Sequence, residues 1–144
     1  MRVLTIAACA MLLASWDGLA AEKPETSGLL AEKATMLAIK GNFAGAVQTY
    51  TRAIALNPSA ADAWVYLRRG DAYASLRQWD PAIADYSEAI RRDPPFGVAT
   101  AYLGRARVRE YEGDKPAAIA DYKRAVANGY TQAEVDLKRL TREI

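Results

Sequence analysis

Apolar and small residues recur at intervals of three and four along most of the chain, and no alternating, strand-like pattern appears. The clearest stretch, DPAIADYSEAIRRDP, runs from residue 80 to 94 and places Ala82, Tyr86 and Ala89 on one helical face. Pro94 ends this helix, because proline cannot donate into the helical ladder and biases the preceding residue away from helical geometry. The pattern predicts an all-α protein.

The same skeleton occurs three times at a fixed spacing of 36 residues. The aligned sets are Ala46, Ala82 and Ala118; Tyr50, Tyr86 and Tyr122; Ala53, Ala89 and Ala125; and Ile54, Ile90 and Val126. A fixed period with the same residue types in register indicates a repeat array, in which each unit buries its apolar face against its neighbours. About three units are the minimum for a stable array, and the chain has three.

Each unit is predicted to be a pair of helices. In the second unit a leading helix runs from about residue 62 to 77, and Asp80 is expected to cap the trailing helix that follows. Gly70, Ala82 and Ala89 are small enough for the two backbones to approach closely, and the tyrosines fill the volume around them. We therefore expect antiparallel helix pairs in which large side chains pack against small ones.

This pattern resembles the tetratricopeptide repeat, whose signature W-x-x-L-G-x-x-Y, A-x-x-x-F, A, P describes a helix-turn-helix unit. The second unit matches in order and spacing at Gly70, Tyr73, Ala82, Tyr86, Ala89 and Pro94, with tyrosine in place of phenylalanine. Two features depart from the family pattern: the period is 36 residues rather than about 34, and NGYTQAEVDLKRL resembles Sel1-like repeats. The resemblance implies an α-α superhelix, or solenoid, with units at residues 27–60, 61–96 and 97–130 and a C-terminal capping helix at 131–144.

Composition excludes several classes of function. The chain has 144 residues, a net charge of +2 and no histidine, so the commonest general base and the commonest metal ligand are missing. No nucleophile–base pair, metal-ligand spacing or glycine-rich phosphate loop is visible, and we predict no catalytic residue, no metal site and no cofactor. The charge is too small for nucleic-acid binding, and a helical-repeat RNA reader would need more repeats and a basic inner face.

The first residues stand outside the repeat pattern. Residues 1–20 combine a charged start with the apolar run VLTIAACAMLLA, which is too short to span a bilayer, and small residues precede Ala21. We predict a signal peptide cleaved before Ala21, and hence a periplasmic or secreted bacterial protein with no stable membrane span. Two alternatives are an N-terminal helix docked on the first unit and lipidation at Cys9, where IAAC resembles the lipoprotein box.

The resemblance also implies where a partner binds. Leading helices line the inside of such a superhelix, and its concave face holds an extended peptide or a helix of a partner protein. The inward positions would be Ala31, Thr35 and Ala38 in the first unit, Arg68, Asp71 and Ser75 in the second, and Arg107, Glu110 and Tyr111 in the third. Chaperone-binding members of the family hold a C-terminal carboxylate with a clamp of lysines and asparagines. That clamp is absent here, because Thr35, Asp71 and Arg107 occupy some of the equivalent positions. The alternative is a solvated surface with weak local ion pairs.

Two tryptophans have two interpretations each. Trp79 aligns with Phe43 between the helices of its unit, which favours a core role over a ligand platform. Trp64 either fills the junction between units or stands at the groove edge as a binding anchor. The predicted partner-binding set is Thr35, Trp64, Arg68, Asp71, Ser75, Arg107, Glu110 and Tyr111.

The sequence therefore predicts a non-catalytic protein–protein interaction module, a scaffold or adaptor that binds a peptide or helix of a partner protein. The alternative is a self-associating structural or assembly factor of the cell envelope, because an open end of a repeat array can stack on a second copy.

Overall fold

The computed structural model describes residues 25–58, 62–92 and 98–142, and these residues form seven α-helices and no strands. The helices are α1 (Ser27–Ile39), α2 (Phe43–Leu56), α3 (Ala63–Ser75), α4 (Trp79–Arg92), α5 (Val98–Tyr111), α6 (Lys115–Ala127) and α7 (Ala133–Arg142). The predicted signal peptide (residues 1–20), Cys9, Pro94 and the unit boundaries at 60/61 and 96/97 lie outside the described residues.

Consecutive helices pair, which confirms the predicted all-α solenoid. The helix α1 packs on α2, α3 on α4 and α5 on α6, and each pair forms one unit. The helix α2 then contacts α3, and α4 contacts α5, so the units stack in chain order. The last helix, α7, packs on α6 and closes the third unit as the predicted capping helix. We call α1, α3 and α5 the leading helices and α2, α4 and α6 the trailing helices.

Two of the three turns inside the units are built alike. Gly41 and Gly113 adopt left-handed φ angles of +78° and +85°, which glycine reaches without steric cost. The next residues, Asn42 and Asp114, cap the trailing helices, since each side chain accepts a hydrogen bond from a backbone N–H three residues on. Each turn thus ends one helix and begins the next within a few residues.

The turn of the second unit differs. Arg77 occupies the left-handed position, with φ +57°, and the structure holds no other such residue apart from glycine among those it describes. The prediction that Asp80 caps the trailing helix is wrong, because α4 begins at Trp79 and Asp80 lies inside its first turn. In the first turn, the negative Asp80 carboxylate still interacts favourably with the positive end of the helix dipole.

Small residues and tyrosines make the core, as the repeat pattern predicts. The aligned alanines and tyrosines are all buried: Ala46, Ala82, Ala118, Tyr50, Tyr86 and Tyr122. The Tyr86 ring lies against two leading helices. A Cβ atom added to Gly70 would stand 3.0 Å from the Cε1 atom of Tyr86, and one added to Gly104 would stand 2.7 Å from it. The approach of α5 to this ring therefore requires glycine at position 104, and the approach of α3 leaves little room for a side chain at position 70.

A buried ion pair that sequence reasoning missed joins the helices of the second unit. Arg69 on α3 donates two hydrogen bonds of 2.7 Å to the carboxylate of Asp85 on α4. Its Nη1 atom also donates to Thr51 Oγ1 of the preceding unit at 3.0 Å. The same three contacts recur 36 residues later with Arg105, Asp121 and Ser87. Each arginine therefore ties its own unit to the trailing helix of the unit before it.

The capping helix is attached by packing and by charge. Ala133 and Leu140 are buried against the third unit. Arg139 Nη1 lies 2.7 Å from Glu110 Oε1 on α5. None of the helices in the described part of the chain is long and apolar enough to cross a bilayer.

Candidate partner-binding groove

Three adjoining cavities run along the leading helices, and together we call them the groove. The N-terminal cavity lies between α1 and α3 and measures about 320 Å³, the central cavity lies between α3 and α5 and measures about 420 Å³, and the C-terminal cavity lies between α5 and α7 and measures about 180 Å³. Asp71 and Ser75 line both of the first two cavities, and Arg107 and Tyr111 line both of the last two. The groove is therefore continuous across the three units.

One aligned tyrosine lies at the floor of each cavity. Tyr50 lines the N-terminal cavity, Tyr86 the central one and Tyr122 the C-terminal one. Their rings belong to the core, while their hydroxyls reach a groove residue of the same unit. These contacts are Tyr50 with Thr35 at 2.8 Å, Tyr86 with Asp71 at 2.9 Å and Tyr122 with Glu110 at 2.8 Å. The core thus positions the polar side chains of the groove.

Burial disfavours ionisation of these hydroxyls. It raises the pKa of each of the three tyrosines above its ordinary value, and for Tyr86 and Tyr122 the bonded carboxylate raises it further. Tyr86 and Tyr122 therefore donate to carboxylates, and those carboxylates act as acceptors.

The N-terminal cavity is the most apolar part of the groove. Ala38, Ile39 and Phe43 line it beside the polar pair of Thr35 and Tyr50. Ile39 is 74% exposed, which is unusual for a large aliphatic side chain at the end of a helix and leaves its apolar surface open to a ligand. This cavity is suited to an apolar side chain.

Asp71 stands where the N-terminal and central cavities meet. Its Oδ1 atom accepts the Tyr86 hydrogen bond, and its Oδ2 atom lies 3.4 Å from Arg68 Nη1. Burial raises the pKa of the Asp71 carboxyl, and the hydrogen bond from Tyr86 and the charge of Arg68 oppose this rise. Because both partners of the Arg68 contact are about half exposed, this ion pair contributes little and can rearrange on binding.

An aromatic wall and two arginines shape the central cavity. The ring of Trp79 stacks on Tyr111 with centroids 5.6 Å apart and an interplanar angle of 7°. Arg77 and Arg107 line the same cavity, and both are exposed. Gly104 leaves room for the central cavity, because α5 carries no side chain at the point where the helix passes over Tyr86. This cavity combines an apolar wall with positive charge.

The C-terminal cavity is polar and internally paired. Glu110 lies between Arg139 of the capping helix and the Tyr122 hydroxyl. The hydrogen bond from Arg139 lowers the pKa of Glu110 most; burial raises it by less, and the hydrogen bond from Tyr122 lowers it further. Asp136 lies 3.4 Å from Arg139 and 4.0 Å from Arg107. This end of the groove holds both signs of charge.

The structure brings most of the predicted partner-binding residues together. Seven of the eight line the groove: Thr35, Arg68, Asp71, Ser75, Arg107, Glu110 and Tyr111. Trp64 lines none of the three cavities; it is 41% exposed and stands seven residues before Asp71, roughly 10 Å away along the axis of α3. Ala38 lies in the N-terminal cavity as predicted. The prediction that Ala31 faces the groove is wrong, because Ala31 is 1% exposed in the core and cannot contact a ligand.

Sequence reasoning missed part of the central cavity. Trp79 is half-buried, so it packs on the core of its unit as predicted and also lines the cavity with its stacked face. Arg77 was not singled out, although its register with Gly41 and Gly113 marks it as the exception among three equivalent turns. The positions of the capping-helix residues in the C-terminal cavity depend on how α7 packs on the third unit, and no local sequence pattern reports that packing.

The groove offers several kinds of contact that a peptide can use. It presents hydroxyls, half-exposed ion pairs, arginines and aromatic faces over three consecutive units. In the described part of the chain, no three histidine, cysteine, aspartate or glutamate side chains are grouped so that they could hold a metal ion.

Comparisons with known proteins agree on the fold. Models of the tetratricopeptide repeat match residues 63–96 and 37–67. The chain is similar to the TPR domain of OM64 from Arabidopsis, with 30% sequence identity, a TM-score of 0.76 and an alignment that covers 83% of this chain and 97% of that one. No protein with a curated description matches the chain.

Two further solved domains show the same fold at lower identity, and both hold a peptide. The second TPR domain of human RPAP3, solved with the HSP70 peptide SGPTIEEVD, is 23% identical with a TM-score of 0.70, over 80% of this chain and 98% of that one. The first TPR of Spaghetti (RPAP3), bound to the HSP90 peptide SRMEEVD, is 20% identical with a TM-score of 0.75, over 84% and 94%.

Proposed function

Because this chain belongs to the tetratricopeptide repeat family, we propose that it is a non-catalytic adaptor that holds an extended segment of a partner protein in its groove. The observation that carries the proposal is the continuity of the three cavities, each with a buried tyrosine at its floor. The cavities measure from about 180 to about 420 Å³, and neighbouring cavities share residues. An extended segment can therefore place successive side chains in successive cavities.

The groove chemistry separates this chain from relatives that bind chaperone peptides. The family resemblance implies that the clamp for a terminal carboxylate consists of lysines and asparagines, whereas here Thr35, Asp71 and Arg107 occupy corresponding places. A carboxylate at position 71 cannot donate a hydrogen bond to a chain-terminal carboxylate, as a lysine or an asparagine does. We therefore expect a partner segment of a different kind.

A photo-crosslinking amino acid tests the proposal inside the cell. It is placed in the full-length chain at Ser75 or Tyr111 in the groove, or at Gln48 or Lys123 on the trailing helices as controls; all four residues are exposed. We expect one discrete adduct with a partner protein from both groove positions and none from the controls. Adducts of equal yield from all four positions would contradict the proposal. Adducts of the chain with itself would favour the self-associating alternative.

We also propose that the protein works outside the cytoplasm, after removal of residues 1–20. The support is the charged start, the short apolar run and the small residues before Ala21. N-terminal sequencing of protein recovered from the periplasm or the medium should read Ala-Glu-Lys. A chain that keeps Met1 in the cytoplasm, or one lipidated at Cys9, would contradict this proposal.

A further inference from the structure

The turn between α3 and α4 carries an arginine where the equivalent turns carry glycine. Arg77 lies 36 residues after Gly41 and 36 before Gly113, and all three have left-handed φ angles: +57°, +78° and +85°. A residue with a Cβ atom is strained in this conformation, and glycine is not. Strain of this kind persists where a side chain is needed at that position.

The turn itself gives no reason for an arginine. Within the described residues, the Arg77 side chain has no hydrogen bond and no ion-pair partner, and it is exposed. The next residue is Gln78, where the equivalent turns have the capping residues Asn42 and Asp114. The second unit therefore lacks both the glycine and the cap, with no local interaction in return.

The side chain is instead placed at a ligand cavity. Arg77 lines the central cavity together with Arg107, Trp79 and Tyr111. Arg107 is only loosely paired, since its contact with Asp136 is 4.0 Å long and its side chain is 58% exposed. The one acidic residue of this cavity, Asp71, accepts from Tyr86 and faces Arg68. Two guanidinium groups are thus available in one cavity.

We propose that Arg77 and Arg107 bind the carboxylate of an aspartate or glutamate side chain in the interior of the partner segment; this inference rests on the proposed function. Guanidinium groups match a carboxylate geometrically and donate charge-assisted hydrogen bonds to it. Trp79 and Tyr111 provide apolar surface for the methylene groups of that side chain.

The position of the cavity favours an interior residue over a chain end. The groove continues on both sides, through Asp71 and Ser75 into the N-terminal cavity and through Arg107 and Tyr111 into the C-terminal one. A segment that fills all three cavities has its middle residues, not its terminal carboxylate, at Arg77. An acidic side chain is then the group that brings a negative charge there.

Selection from displayed random peptides tests this inference. The chain from Ala21 onwards is screened against peptides of about 12 residues in two libraries, one with both peptide ends blocked by linkers and one with free C-termini. We expect the blocked library to yield binders with aspartate or glutamate at one fixed position. Changing that residue to its amide in a recovered peptide should weaken binding to the wild-type chain about tenfold.

Variants of the protein locate the contact. R77G and R107A should each weaken binding of the acidic peptide by about fivefold to tenfold. Neither variant should change binding of the amide version, because that peptide already lacks the carboxylate that the arginine contacts. R77G relieves backbone strain, so misfolding is not expected to cause its loss of binding. K123A, which removes an exposed charge from α6, should bind both peptides like the wild type.

The outcomes separate the two proposals. Binders without a fixed acidic position, acidic binders that are insensitive to R77G, or binders from the free-C-terminus library alone would overturn the inference but leave the proposed function standing. No binder above background in either library would count against the proposed function, and this inference would fall with it.

Discussion

Arg105 holds Asp121 with two hydrogen bonds of 2.8 and 2.9 Å, in a site where the Asp121 side chain is 0% exposed. Arg109 and Arg124 add contacts of 2.7 and 3.3 Å to the same carboxylate. Through Ser87, Arg105 also reaches the preceding unit at 2.7 Å. One buried aspartate thus connects both helices of the third unit, and its main partner connects two units.

Replacing Asp121 should therefore cost more stability than any exposed carboxylate. We expect D121A to lower the free energy of unfolding by about 3–5 kcal/mol, because it leaves buried arginine charge without compensation. D85A should cost less, since Asp85 has a single arginine partner. Urea denaturation measures the differences, with E32A as the exposed control. Equal costs for D121A and E32A would contradict this assignment.

Gly104 should tolerate no side chain. In G104A the new methyl group would stand 2.7 Å from the Tyr86 ring, which is buried and cannot move freely. We expect a loss of about 1–3 kcal/mol in the free energy of unfolding, measured by denaturation. G28A is the matched control, because an added Cβ there meets nothing within 4 Å and alanine favours the helix. A stable G104A protein would mean that α5 does not approach Tyr86 this closely.

The turn at Arg77 should be more strained than its equivalents. We expect R77G to leave the free energy of unfolding unchanged or to raise it by up to about 1 kcal/mol, since glycine removes the left-handed strain but adds entropy to the unfolded chain. The reverse change in the third unit, G113R, should lower it by about 1–2 kcal/mol, because φ there is +85°. Thermal denaturation compares the two variants. A clear loss of stability in R77G would show that the arginine stabilises the fold itself.

Acid should weaken the attachment of the capping helix. Arg139 lowers the pKa of Glu110 in the folded protein, so Glu110 stabilises the fold fully above the ordinary glutamate pKa of about 4.3. That contribution is lost as the pH falls through the lowered, folded-state pKa. The stability difference between wild type and E110Q should therefore be constant near neutrality and shrink in acid. E112Q is the matched control, because it removes an exposed carboxylate with no partner among the described residues.

Sequence periodicity predicts the fold because it reports directly on packing. Ala46, Ala82 and Ala118 recur every 36 residues, and the three are fully buried, since only a small residue allows the helices to approach at that point. The groove positions follow from the same register, so most of the predicted set lies in one row of cavities. The boundaries of the units and the signal peptide stay predictions.

What the periodicity could not predict depends on contacts between elements. Ala31 shares a helix face with the groove residues in the pattern, but α2 and α3 cover it, so it is buried. Trp79 has two environments at once, because α5 ends with Tyr111 beside its ring. Arg69 and Asp85 lie 16 residues apart, and only their repetition as Arg105 and Asp121 could have revealed the pair.

The most direct test of partner binding in the groove is to locate a bound peptide on the protein by NMR. Amide chemical shifts of the chain would be followed during titration with the tightest peptide recovered from the displayed library. We predict that the largest changes fall in the C-terminal halves of α1, α3 and α5 and in the turn at Arg77. Changes concentrated on the trailing helices, or on the outer face of α7, would contradict the claim that the groove binds the partner.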